Sequence, residues 1–194
     1  MGHWNRLPQW RPPGTTSAQR TVPALHEIKP LPRWSNQPLR LYHGTLEARA
    51  RSIVSRGVSV SYGRLGTDFG PGFYTTTDFE VAEGWGSRLT LNRRGQRIGV
   101  VAADLDRNSL ATLSWLAFAR GDAGAHDFWS FVMHCRSRAP HHGRSDPADP
   151  LYDAVIGPVA AILKDRICMP DIDQISFHTP AAEAVLNSVR WRFI

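Results

Sequence analysis

The sequence predicts an α+β domain preceded by an irregular leader. Three observations predict it. Short β-favouring runs recur between residues 39 and 178, each closed by glycine, proline or a polar turn. Two or three segments of helical spacing separate these runs without alternating strictly with them. Seven of the fourteen prolines, by contrast, crowd into residues 1–38, where no helical or strand period survives.

A length of 194 residues suits one domain with an appendage, and 42% hydrophobic content is enough for a buried core. No apolar run approaches the ~20 residues of a membrane span. The start, MGHWNRLPQWRPPG, lacks the apolar stretch of a signal peptide. The expectation is a cytoplasmic protein with no membrane partner. Two cysteines, Cys135 and Cys168, are too few for a disulfide framework and have no metal-ligand spacing; buried free thiols are expected.

The net charge of +6 is unevenly placed. Residues 1–40 carry six basic residues against the single acid Glu27, which makes +5 and leaves +1 for residues 41–194. A basic folded domain would point to nucleic acid, but here the charge belongs mostly to the leader. Residues 1–37 therefore read as a separate segment and 38–194 as the domain. With Trp4, Trp10 and Trp34 among its arginines, the leader is either a flexible arm or a partner-binding peptide.

The elements follow in order. Leu39 to His43 alternates as a strand that ends at Gly44-Thr45. Thr45 is placed to cap a helix over Leu46 to Arg56, with Ile53 and Val54 inward and Gly57 at its end. Residues 59–71 hold three glycines and a proline and read as a loop. Gly72 to Thr76 is a short strand, and Thr77 with Glu80 forms a capping box for a helix containing Val81, Ala82 and Trp85. Ile98 to Leu105 is a strand. Phe128, Phe131, Val132 and Cys135 share a helical face. His141 to Pro150 is a polar loop, Ala154 to Ile156 a strand ended by Gly157-Pro158, Ile172 to His178 a strand, and Pro180 to Val189 a closing helix.

Several chemistries are excluded. Asp68-Phe69-Gly70 matches the metal-binding triplet of protein kinases, but the chain has only two lysines, Lys29 and Lys164, and no catalytic His-Arg-Asp loop. There is no Gly-x-Ser-x-Gly elbow. His134, His141 and His142 fit no standard metal spacing, and His141-His142 is expected to be a solvated pair. The acids of Asp104/Asp106 and Asp171/Asp173 are expected to face solvent or cap turns.

What remains is an ordered set: Tyr42-His43-Gly44-Thr45, then Asp68-Phe69-Gly70-Pro71-Gly72-Phe73-Tyr74-Thr75-Thr76, then Ala82 to Trp85, Tyr152 to Ala160, and Gln174-Ile175-Ser176-Phe177-His178-Thr179. In this order the landmarks resemble the His-Tyr-Glu branch of the ADP-ribosyltransferases, and more closely the bacterial group DUF3990, over about residues 39–190. The resemblance implies a split antiparallel β-sheet core with flanking helices, NAD as co-substrate and no metal. It implies that the Gly44 backbone bonds the nicotinamide amide beside Thr45. It gives His43 a ribose hydroxyl or a part in orienting the dinucleotide, and Tyr74 and Trp85 the two faces of the nicotinamide ring. Gln174 takes the place of the glutamate that steadies the cationic transition state.

Glutamine keeps the hydrogen bond and lacks the charge, so the resemblance implies transfer of a single ADP-ribose, slow NAD hydrolysis (an NAD glycohydrolase activity) or NAD binding alone, rather than polymer formation. Asp171 is a substitute carboxylate only if its strand bends. The function implied is a mono-ADP-ribosyltransferase, a bacterial toxin or effector with a protein acceptor and an antitoxin or immunity partner, acting in its own cell or delivered by dedicated machinery. Two alternatives stand beside it: a catalytically weak NAD-binding module acting through a partner, and ADP-ribosylation of nucleic acid.

Overall fold

The structure is a computed structural model that describes residues 37–91, 95–121, 125–143 and 151–194. The leader 1–37, Gln37 aside, lies outside the described residues, as does most of the loop expected at 141–150.

The domain is α+β, with seven strands in two sheets and five helices among the described residues. The smaller sheet has β1 (Leu39–Leu46) beside β3 (Ile98–Leu105), with the two-residue β7 (Arg192–Phe193) on the far side of β3. The larger has the order β2 (Phe73–Thr75), β6 (Ile167–Phe177), β5 (Ala154–Ile162), β4 (Trp115–Ala117). All pairings are antiparallel except β4 with β5. Among the described residues no helix is long and apolar enough to cross a membrane.

One antiparallel bridge joins the sheets. Tyr42 N–H donates to the Thr76 carbonyl at 2.8 Å and Thr76 N–H to the Tyr42 carbonyl at 3.0 Å. The next pair in that register, Gly44 opposite Tyr74, is not made, so β1 and β2 splay apart immediately beyond it.

Strand alternation divides the core. Phe73, Ile175 and Phe177 look into a cluster with Leu41, Val101, Leu186 and Trp191. The opposite face of the same strands, carrying Tyr74 and Val155, meets Phe69, Phe128, Trp129 and Val132. The latter three lie on α4 (Ala125–Arg136), where Phe128, Val132 and Cys135 of the expected face are buried, Phe131 is half-buried and Trp129 joins them. Helix α1 (Glu47–Arg56) lies on β3, with Ile53 and Val54 against the first cluster and Gly57 closing it at φ 90°. Cys135 is buried and Cys168 only half-buried, both free.

Several element ends differ from the sequence reading. β1 runs on through Gly44 and Thr45, and Thr45 caps nothing: it is buried in the strand, and Leu46 precedes α1 without a side-chain cap. β5 likewise continues through Gly157-Pro158, because β6 pairs with it across both residues. Tertiary pairing overrode the local breaker signals. For α2 (Phe79–Thr90) the cap is Asp78, whose carboxylate accepts from the N–H groups of Glu80 and Val81, and Thr77 does not take that role. At α5 (Pro180–Asn187), Thr179 caps and Pro180 opens the helix.

Candidate functional site

The seam where β1 and β2 part brings His43, Gly44 and Tyr74 together. A main-chain carbonyl can only accept, so the His43 contact to the Tyr74 carbonyl, 2.6 Å from Nδ1, fixes the proton on Nδ1. Nε2 is left with its lone pair and meets no described partner. The ring stacks on Phe73 at 4.3 Å between centroids and 29° between planes. Burial pulls the imidazole down to about 4, more than the Tyr74 hydrogen bond raises it, with a further lowering from the Arg49 charge. At neutral pH His43 is a fixed, uncharged acceptor.

Gly44 stands one residue beyond. Tyr42 directs its N–H and C=O at β2, and alternation along an antiparallel strand directs those of Gly44 to the same side. Among the described residues no strand continues the pairing there and nothing else bonds Gly44 on that side, so one donor and one acceptor face the seam. The missing side chain has a separate cause: a Cβ on Gly44 would come within 1.6 Å of the Ala82 carbonyl oxygen on α2. Helix and strand are in backbone contact. The close approach that glycine permits is to this helix.

Tyr74 points to the other face. Its hydroxyl donates to the Gly70 carbonyl at 2.7 Å and accepts from Phe69 N–H at 3.0 Å, and burial pushes its pKa up, so it stays protonated. The phenol therefore holds the turn at Gly70, which lies at φ 86°. Its ring neighbours are Phe69 and His178. Trp85 is 38% exposed on α2, with the Arg88 guanidinium 5.0 Å from its ring centroid, and among the described residues no ring contact joins it to Tyr74. Gly72 meets protein rather than open space, since a Cβ there would lie 2.5 Å from the Phe177 carbonyl oxygen.

Gln174 shares a sheet face with Tyr74, because Tyr74 pairs with Ser176 and Gln174 lies two residues before it. It is only 8% exposed. Its Nε2 donates to Asp68 Oδ2 at 2.7 Å and to the Pro158 carbonyl at 3.3 Å. Asp68, also buried, accepts from Arg136 Nε at 2.7 Å and from Ala160 N–H at 3.0 Å. Of the other acids, Asp173 pairs with Arg120 at 2.8 Å, Asp104 with Arg40 and Arg192, and Asp106 caps the short helix α3 (Arg107–Leu110). The backbone does turn at Asp171, at φ 53°, but that residue is exposed and bonds to none of the site residues. Asp153 ties Ser114 to Thr179.

Sequence reasoning missed a second histidine group. His142 is buried, not solvated: its Nε2 accepts from Tyr152 N–H at 2.8 Å, which leaves Nδ1–H a buried donor with no partner among the described residues. His178 gives Nδ1–H to the Pro71 carbonyl and accepts from the Ser176 hydroxyl at Nε2, both at 2.8 Å. Burial takes His142 to about 3 and His178 to about 4. With His141 and Ser61 they line a cavity of about 360 Å³. The signal was in Gln174 to Thr179, where His178 follows Ser176 on one face; for His142, nothing local separates it from the exposed His141.

Residues 39–169 match the family described as Protein of unknown function (DUF3990). The chain belongs to this family. His43, Gly44, Thr45, Tyr74 and Trp85 fall inside the matched segment, and Gln174 lies beyond it. No curated protein matches the chain.

Proposed function

We propose that this DUF3990 chain is an NAD-dependent mono-ADP-ribosyltransferase with the split sheet of that fold, a bacterial toxin or effector that modifies a macromolecular acceptor. The seam carries the reading. A primary carboxamide, such as that of nicotinamide, needs one acceptor for its N–H and one donor for its C=O. The open N–H and C=O of Gly44 are such a pair on a single residue. Beside them the His43 Nε2 is held as an acceptor, the complement of a ribose hydroxyl.

Breaking the nicotinamide–ribose bond places positive charge on the ribose while a neutral ring departs. Holding both ends of that bond is the first requirement for such a reaction. By the resemblance, stacking falls to Tyr74 and Trp85; it requires the Tyr74 ring, now on the other face against Phe69 and His178, to turn to the seam, and Arg88 to leave the indole face of Trp85. The full chain incubated with labelled NAD and a bacterial lysate should transfer label, and His43→Ala should abolish transfer with folding intact. Absence of both label transfer and nicotinamide release at high protein concentration refutes the reading.

A second reading, an NAD-binding module with little or no turnover, is favoured by the engagement of the Gln174 amide with Asp68. It predicts NAD affinity without nicotinamide release.

A further inference from the structure

Position 174 is read above as a neutral stand-in for glutamate. Its surroundings say more. The Asp68 carboxylate receives hydrogen bonds from Arg136, from the Ala160 backbone and from Gln174, and it forms a 2.6 Å ion pair with Arg136 Nη2. Arg136 also donates to the Gly66 carbonyl at 3.2 Å. Around the Gln174 amide nitrogen, both partners, Asp68 Oδ2 and the Pro158 carbonyl, are pure acceptors. That fixes which end of the amide is nitrogen. No described residue donates to its Oε1.

We infer that Asp68 is a positioning residue that orients the Gln174 amide so that its Oε1 serves as an uncharged acceptor for a sugar hydroxyl, and that this site is built for glutamine and against glutamate. The ligand half rests on the proposed NAD reading; the orientation half does not. A carboxylate at 174 would face Asp68 Oδ2 across the 2.7 Å now filled by a donated proton. Two carboxylates so close cannot both ionise freely, and one takes up a proton or the contact opens.

The test uses the full chain as wild type, Gln174→Glu, Gln174→Met and Asp68→Asn. Urea unfolding needs no ligand. A proton retained by the folded Gln174→Glu variant makes its stability fall as pH rises, so its deficit against wild type should widen from about pH 5 to about pH 8. Equal stability across that range overturns the orientation.

The second readout is the ratio of affinities for NAD and for its analogue lacking the 2′-hydroxyl of the nicotinamide ribose. Wild type should prefer NAD by about tenfold. Gln174→Met and Asp68→Asn should both lose the preference, although Asp68 touches no ligand. A ratio unchanged in Asp68→Asn overturns the positioning role. A Gln174→Glu protein that gains affinity or turnover with a flat pH profile overturns the inference outright. If wild type binds no NAD, the proposed function and the ligand half fall together, while the unfolding series still decides the orientation.

Discussion

His43 and His178 are near twins that end differently. His43 lies within β1 and His178 just beyond β6; each gives its Nδ1–H to a main-chain carbonyl, and each is pulled to about 4 chiefly by burial. The second nitrogen separates them. In His178 it takes the Ser176 hydroxyl, so the ring fastens β6 to the Pro71 turn. In His43 it meets no described partner. A histidine with both nitrogens engaged is a fastener; one with a single engaged nitrogen is an oriented acceptor awaiting a donor.

The largest effect expected from this contrast is on stability at His178. His178→Ala removes two hydrogen bonds, leaving the Pro71 carbonyl without its donor and the buried Ser176 hydroxyl with only the Val155 carbonyl at 3.4 Å, and should cost about 3 kcal/mol in urea unfolding. His43→Ala should cost only about 1 kcal/mol while weakening NAD binding about tenfold; the reverse pattern would break the comparison.

Acid titration comes next. Both rings bind protons less readily folded, at about 4, than unfolded, near 6.5. Their contribution is fully present above the unfolded value and is lost as pH falls from about 6.5 towards about 4. Either alanine variant should lower the slope of stability against pH in that window by up to one proton, and an unchanged slope in both would contradict the neutral assignment. The smallest effect belongs to Trp85→Ala. With the indole exposed under Arg88, unfolding should shift by no more than about 0.5 kcal/mol, and a larger shift would mark Trp85 as a packing residue.

The sequence made the fold class legible because its strands and helices carry strong local patterns. β3 was read to the residue, and α1 and α5 to within a residue or two. Three short elements were not legible, although the equally short β2 was. β4, α3 and β7 hold three, four and two residues, too few for any period to emerge, and they exist because neighbouring strands or caps recruit them.

At the site, residue type pointed to His43, Gly44, Tyr74 and Gln174, but orientation was hidden. Nothing in Gly72 to Thr76 says that the Tyr74 hydroxyl turns back to hold Gly70. Nothing in Gln174 to Thr179 says that the amide faces Asp68, 106 residues earlier. Such facts depend on which distant acceptors share a face, and a linear pattern cannot carry them.

Gly44 has a mechanical consequence. Between most helices and sheets, side chains form a compliant layer that absorbs small shifts by changing rotamer. Here the Ala82 carbonyl stands where a Cβ would be, and peptide meets peptide with nothing between. That joint has no slack. Helix α2 and strand β1 must move as one rigid body, carrying Trp85 and His43 together, so any closing of the seam around a ligand has to come from the side of β2 and the Gly70 turn.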